Sequence, residues 1–575
     1  MIKKTHNKIS YSTIFVNFFF FLTILFFTPM EIYIGNISEF SFPPDNVWWI
    51  LLIFAVLLSV GISIIESLFI KLQDYFNCIL FSLGVCFYLQ RLFFNSHLQT
   101  LTGELIQFSK SVVYSNIIIW LLIFSSLFSI LMYLKRSKSI QFLHSTLLIA
   151  AAELCVIQFL GFGGAIINME DYSDDDIYLS TSGEFELSPK NNVLYFILDT
   201  CDGQFVREAL ETDPDLFSEF TGFTYYPNAT TTYSRTYPAI PYLLTKSFCD
   251  FSKPYKSYID EAYEKSDFLN LISAHDTDIR IYTSTHYLSH SVYNLVDNLS
   301  SYDSGSLQVL SPLNLIKSMI RISGYQGMPY LLKPLFSYTV EPINRNVMKN
   351  IPEDYFTKGT NEFEFSKRLN KQGVTTNDSY DSAFRFYHLF GPHPGCIMNS
   401  EAHYDPNATQ VDTLRGDIKI LNEYFSYMKE LGIYDNSTII ITADHGNQNE
   451  SEDLLLHQPP CCIMLVKEAG KGSSFEIQTS SSPVCQDDLF SVVLNALGIS
   501  SSKYGEAIYE ISEDSARDRY YYHTAQINAT NGEVALREYK ISGNAEDFSN
   551  WQLTGKYWDI IHSANAVSKT RLNTQ

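Results

Sequence analysis

Thr438-Ile-Ile-Ile-Thr-Ala-Asp-His-Gly446 is a run of β-branched residues that stops on a carboxylate, an imidazole and a glycine. Short apolar runs of this kind, bounded by polar turns, read as buried strands. A second such run, Val193-Leu-Tyr-Phe-Ile-Leu, stops on Asp199. Between the two, Ile418, Leu421, Phe425 and Met428 recur at helical spacing from Asp412 to Leu431. Alternating strand and helix predicts an α/β domain with a largely parallel sheet. In such sheets the chemistry gathers beyond the carboxyl ends of the strands, where Asp199 and Asp444 both fall.

The N-terminal part is of another kind. Of 575 residues only 18% are charged, 42 are Phe and 38 are Tyr, so part of the chain is expected not to face water. Five apolar runs lie ahead of the α/β portion: Ser12 to Tyr33, Trp48 to Ile70, Asn77 to Phe94, Val112 to Leu134 and Ile140 to Gly163. Each is long enough to cross a hydrocarbon core that needs about 20 helical residues. Lys3, Lys4 and Lys8 precede the first run, Lys71 follows the second, and Lys135, Arg136 and Lys138 follow the fourth. Cations on alternate connections place the N-terminus in the cytoplasm, and an odd number of spans delivers the rest outside. The chain divides on this reading into a five-helix transmembrane bundle (1–165), an acidic linker (166–192) and an α/β extracytoplasmic domain (193–575). The net charge of −22 sits wholly beyond the spans, which argues against a nucleic-acid partner. Within the spans, Glu66 reads as a solvated acid near the cytoplasmic end. Glu153 lies deeper, where an acid is a functional candidate, and Arg91 reads as a headgroup contact or an interfacial anchor.

Three further features surround the Asp444-His445 pair. Asp199 ends its own strand in the same way, His388 and His393 lie in the turn-rich stretch His-Leu-Phe-Gly-Pro-His, and His457 follows Asp444 by thirteen residues. Such oxygen and nitrogen donors suit a divalent ion, zinc or manganese. For a nucleophile, Thr-Tyr-Ser-Arg-Thr-Tyr-Pro (232–238) sets a hydroxyl cluster before a proline suited to a first helical turn. Exposed amides there favour a phosphate. Ser234 and Thr236 both qualify, and either serves equally as an N-cap. None of Cys201, Cys249, Cys396, Cys461, Cys462 and Cys485 has metal-ligand spacing, and no disulfide pairing follows from their positions.

Taken together, Asn192-Val-Leu-Tyr-Phe-Ile-Leu-Asp199, the Thr236 segment, His388-Leu-Phe-Gly-Pro-His393 and Ile440-Ile-Thr-Ala-Asp-His-Gly446 resemble the alkaline phosphatase/sulfatase superfamily. With five spans ahead, the resemblance is to its membrane branch of lipoteichoic acid synthase, phosphoglycerol transferases and phosphoethanolamine transferases, and it covers nearly the whole chain. The resemblance implies an alkaline phosphatase-like fold. It implies Thr236 as nucleophile, since phosphoethanolamine transferases carry a proline five residues after theirs, as Pro241 stands here. It implies Asp199, Asp444 and His445, with Thr236, as ligands of the metal ion, and His393 and His457 as histidines that bind substrate phosphate or a second ion. His388 matches the outer member of the same motif, Asp202 is a further candidate ligand, and Arg235 a candidate phosphate contact. There are departures. Asp199 stands where many relatives carry Glu, and Thr232 and Tyr242 stand where phosphoethanolamine enzymes have cysteines. Thr236 also stands where sulfatases need a Cys or Ser.

The function implied is a metal-dependent transfer of a phospho-headgroup, of phosphoglycerol or phosphoethanolamine type. The group would pass from a membrane phospholipid donor to an envelope glycan or lipid acceptor through a phospho-threonine. The alternatives are a phosphodiesterase or phosphatase on the same site and a non-catalytic lipid-binding sensor. The implied location is the cell membrane, multi-pass, with the catalytic domain extracytoplasmic.

Overall fold

The computed structural model describes residues 10–37, 40, 42–96, 98, 108–167, 169, 177–301, 310–338, 343, 346–347, 362–396, 398–405, 407–447, 455–528, 533–561 and 569–574. Contacts divide the chain into two compact units, one of Met1–Asp175 with Asp303–Ile351 and one of Asp176–Tyr302 with Pro352–Gln575.

The first unit contains five helices long and apolar enough to cross a membrane: Tyr11–Gly35, Val47–Leu68, Ile70–Phe93, Lys110–Ser137 and Ile140–Ile167. Their apolar side chains point outward as well as inward, as they do when lipid rather than water surrounds a bundle. Leu57, Leu121 and Leu160, for example, are each more than 60% exposed. Inside, several polar groups pair with one another, as Asn77 Nδ2 does with Thr13 Oγ1 at 2.9 Å and Asn116 Nδ2 with Gln90 Oε1 at 2.8 Å, pairings that an apolar medium favours. Glu66, read from sequence as solvated, is instead buried and accepts from Asn17 Nδ2 at 3.2 Å, because Asn17 faces it from the first span. Arg91 is paired with Glu31 at 2.5 Å, so its charge is met within the protein. Glu153 is exposed on the fifth span. Residues 303–351, which the sequence reading gave to the α/β portion, belong by contact to this first unit. They include a helix, Pro312–Gly327.

The second unit is built on a seven-stranded sheet. Its strands are β1 (Asn191–Leu198), β2 (Phe223–Tyr225), β3 (Thr277–Tyr282), β4 (Ser382–Leu389), β5 (Ser437–Thr442), β6 (Met464–Lys467) and β7 (Gln478–Thr479), in the spatial order β7-β2-β6-β5-β1-β4-β3. The four consecutive strands β5, β1, β4 and the edge strand β3 run parallel, and β6 is antiparallel to β5. Every residue of β5, and all of β1 and β4 after the first, is buried. That pattern fits a sheet covered on both faces. On one side Phe196 of β1 packs against Tyr424 and Phe425 of the helix Gln410–Glu430. The expected linker is not wholly irregular, since Ile177–Leu179 and Glu186–Leu187 form short strands within this unit.

A second sheet of four antiparallel strands closes the chain: β8 (Asp518–Asn528), β9 (Glu533–Ser542), β10 (Trp551–Ile561) and β11 (Lys569–Thr574). Its first strand pairs with the segment ahead of Thr236. Tyr522 N–H donates to Thr232 O at 2.8 Å, and Ser234 N–H to Tyr522 O at 3.3 Å.

Candidate metal and nucleophile site

Strand order explains how residues far apart in sequence meet. β5, β1 and β4 are parallel neighbours, with Thr442 opposite Ile197 and Leu198 opposite Leu389, so their carboxyl ends lie side by side. Asp199 follows β1, Asp444 and His445 follow β5, and His388 is the penultimate residue of β4. Ligand atoms of Asp199, Asp444 and His445 fall within 4.8 Å of one another, and all three residues are buried. Among the described residues this is the one group of that kind.

Local backbone geometry aims the two acids. Thr200 adopts a left-handed conformation, φ +60°, which turns its amide toward β5. That N–H donates to Asp444 Oδ1 at 3.0 Å, and the Thr200 hydroxyl donates to Asp199 Oδ1 at 2.7 Å. His445 N–H donates to the same Asp444 oxygen at 2.8 Å. Asp444 Oδ2 is left buried with no hydrogen-bond partner, a costly state unless something else meets its charge. Gly391, φ +58°, sits so close to the chain before Asp199 that a β-carbon there would lie 2.7 Å from the Asp199 nitrogen. Gln486 adds a cross-tie, donating to Ala443 O at 2.7 Å and accepting from Thr232 N–H at 2.9 Å.

Thr236 opens the helix Thr236–Thr245, with Arg235 extended at the N-cap. Its hydroxyl is 3.3 Å from His445 Nε2 and 3.5 Å from Asp199 Oδ2. Ser234, the other hydroxyl with the right context, is occupied elsewhere: its Oγ accepts from Thr524 N–H at 2.7 Å. Pro241 lies inside the helix and cannot donate to Tyr237 O. Tyr255 supplies the missing donor, its hydroxyl 2.7 Å from that carbonyl.

The histidines differ in placement. His445 Nδ1 lies 2.7 Å from Gly446 O, which assigns the proton to Nδ1 and leaves the Nε2 lone pair toward Thr236. His388 Nδ1 contacts the Thr283 hydroxyl at 3.0 Å, and its Nε2 lies 3.5 Å from Asp199 Oδ2. His393 is half-buried, with Nδ1 2.9 Å from Pro394 O, and acts electrostatically on Asp199. His457 is exposed, in the loop before Cys461, and is not a member of the Asp199/Asp444/His445 group. Asp202, considered above as a ligand, has both oxygens occupied by backbone amides. Oδ1 caps a helix through Gln204 N–H at 2.7 Å, and Oδ2 accepts from Asn447 N–H at 2.8 Å. It therefore pins the loop after His445. Arg235 donates through Nε to Thr524 O at 3.3 Å.

The electrostatics are those of a pocket short of positive charge. Burial pushes the Asp199 carboxyl up, but His393, His388 and His445 outweigh it and hold the group below the usual carboxylate range. Asp444 is pushed up, first by burial and then by the charge of Asp199. Two buried carboxylates cannot both ionise cheaply without a nearby cation. An unpartnered carboxylate oxygen, a second carboxylate and an imidazole lone pair converging on one place fit a divalent ion.

Sequence reasoning missed Thr200, Gln486 and Gly391. For Thr200 a signal existed, a hydroxyl directly after a strand-ending acid. For Gln486 there was none, because its partners are far away in sequence.

No family model matches the chain, and no curated protein matches it. Among solved structures the chain is similar to a phosphonate monoester hydrolase from Silicibacter pomeroyi, at 11% identity and a TM-score of 0.35, covering 64% of this chain and 89% of that one. It is similar to a protein in the alkaline phosphatase superfamily from Vibrio parahaemolyticus, at 12% identity and a TM-score of 0.35, covering 69% and 84%. It is also similar to a lipoteichoic acid synthase from Listeria monocytogenes, at 13% identity and a TM-score of 0.34, covering 69% and 91%. Likenesses at this level assign no residue a role, so the chemistry of the site stands on its own geometry.

Proposed function

We propose that this chain transfers a phospho-headgroup, of phosphoglycerol or phosphoethanolamine type, from a membrane phospholipid to an envelope glycan or lipid acceptor through a phosphoester on Thr236. The observation that carries the reading is the Thr236 hydroxyl. It stands at a helix N-terminus, 3.3 Å from an imidazole nitrogen and 3.5 Å from a buried carboxylate, in a chain with five candidate membrane spans. Cations on alternate connections support an extracytoplasmic α/β unit in a multi-pass cell-membrane protein.

Asp199, Asp444 and His445 would hold a divalent ion, manganese or zinc, with Thr236 beside it. When bound, such an ion lowers the pKa of a neighbouring hydroxyl and neutralises charge on phosphoryl oxygens. His445 would offer its Nε2 lone pair to that ion, its tautomer set by Gly446 O, and the Thr236 hydroxyl proton passes to water. Thr236 Oγ1 attacks the headgroup phosphorus. As that bond forms, the bond to the diacylglycerol oxygen breaks, and the leaving alkoxide takes a proton from His393 or His457 acting as acid. The first-turn amides of the Thr236 helix lack intrahelical partners and present partial positive charge to the phosphate oxygens. In the second half the acceptor hydroxyl attacks the phosphothreonine, losing its proton as Oγ1 departs. His393 or His457 serves as acid, base or phosphate contact, with His457 supplied by its exposed loop.

Reconstituted protein supplied with headgroup-labelled phospholipid and manganese tests this reading. Label is expected on an added glycan or lipid acceptor and is expected to be lost with a chelator. Label released only as free headgroup would make the protein a hydrolase on the same site. No turnover with any donor would favour the sensor.

A further inference from the structure

The π-turn Thr23–Phe27 interrupts the first span. Thr28 N–H bonds to Thr23 O, and residue 29 is a proline, so Ile24 O has neither of the donors a helix would give it. A carbonyl orphaned inside a membrane is expensive. Ser323 resolves it, its hydroxyl donating to Ile24 O at 2.5 Å. Ser323 lies on the helix Pro312–Gly327, which belongs by contact to the bundle. Gly327 of the same helix meets Phe87, where a β-carbon would lie 2.0 Å from the ring. Just beyond, Tyr330 N–H donates to Asn116 Oδ1 at 3.0 Å, and Lys333 Nζ caps the helix through Tyr325 O and Gln326 O.

These contacts set a depth. Ile24 lies seven residues below Glu31 on its span, and Phe87 four below Arg91 on its own. At 1.5 Å per residue those offsets are about 10 Å and about 6 Å beneath the Glu31–Arg91 pair. The end of the inserted helix is therefore sunk between the spans, on the side away from the N-terminus. Its inner face is Leu315, Met319 and Ile322, all buried. Its outer face carries Leu313, Lys317 and Arg321 at successive turns, all exposed, and neither cation makes an ion pair among the described residues. Next to the sunken end, Leu331 and Leu335 are 57% and 74% exposed.

We propose that Pro312–Phe336 is a re-entrant membrane element whose outer surface binds anionic phospholipid. Lys317 and Arg321 meet the phosphate groups, and Leu331 and Leu335 lie among the acyl chains. Water is a poor occupant of that surface, because the exposed leucines stand at the depth of Asn116, where the neighbouring spans are lipid-facing. Basic side chains on the helix, with exposed leucines in the turns that follow it, combine the two chemistries of an interfacial lipid contact. The inference does not depend on the reaction proposed above and would hold for a hydrolase.

The test uses the full chain in nanodiscs of equal phosphatidylcholine and phosphatidylglycerol, with a benzophenone amino acid at position 313, 335 or 121 and adducts identified by mass. Leu121 is an exposed position on the fourth span and labels lipid in any folded bundle. Phospholipid adducts are expected at 335. At 313, phosphatidylglycerol should be enriched over phosphatidylcholine by about fivefold for each cation, falling to the bulk ratio in Lys317→Gln/Arg321→Gln. With 121 labelling normally, a 335 probe that reacts only with water or with a second copy would overturn the proposal. So would an unenriched ratio at 313 in the parent chain.

Discussion

Replacing Gly391 by alanine should damage the site while leaving the side chain of every residue that would hold the ion unchanged. Gly391 has φ +58°, and a β-carbon there would lie 2.7 and 2.8 Å from the nitrogen and oxygen of Asp199 and 2.8 Å from the carbonyl carbon of Leu198. Those atoms are backbone, in and just after β1, so they cannot swing aside as a side chain would. Left-handed backbone costs a non-glycine residue about 1–2 kcal/mol, and forced overpacking adds about 1–3 kcal/mol. Gly432→Ala carries only the first contribution, because Gly432 has φ +71° with nothing within 4 Å of its β-carbon position, so the difference between the two variants isolates the second. Unfolding of the detergent-solubilised full chain should show Gly391→Ala the more destabilised of the two by about 1–3 kcal/mol. Manganese affinity, read by calorimetry, should fall in Gly391→Ala alone, because displacing the Asp199 backbone opens the ligand cluster. Equal loss of stability in the two variants, with unchanged metal affinity in both, would refute the claim that Gly391 sets the position of Asp199.

Tyr255→Phe removes the donor to Tyr237 O and leaves a carbonyl that Pro241 cannot serve. A loss of about 1–3 kcal/mol is expected, smaller in a Pro241→Ala background that restores an amide there; a thermodynamic cycle of the two measures the coupling. His523 is held down to about 4, first by burial and then by Arg235 and Arg537. Because the folded pKa lies below the unfolded one, the stability the neutral ring provides is complete above pH 6.5 and is lost as pH falls toward about 4, about 3 kcal/mol in all. Denaturant midpoints across that window should slope in the parent protein and flatten in His523→Leu.

The elements that carry the chemistry were legible because local chemistry announces them. β1 and β5 are β-branched and aromatic runs that end on acids, and the five spans are long, predominantly apolar runs. What the chain does not announce is adjacency. Nothing in residues 193–199 states that β1 lies between β5 and β4, yet that order alone brings Asp199, Asp444 and His388 together. Ser234 and Thr236 read alike as hydroxyls ahead of a proline, and only the pairing of Thr232–Ser234 with β8 directs one to Thr524 and the other to His445. The inserted helix was illegible for a different reason. At sixteen residues, with Lys317 and Arg321 on its face, it is too short and too polar to read as a span, and its place depends on a carbonyl orphaned 299 positions earlier.

Mass spectrometry of the Thr236 peptide, after the full-length protein has met phospholipid and manganese and been quenched in acid, tests the central claim most directly. A phosphoester on Thr236 is expected, its added mass identifying the transferred group, and it should be absent in Thr236→Ala. An unmodified Thr236 during measurable turnover, or an adduct on Ser234 instead, would contradict it.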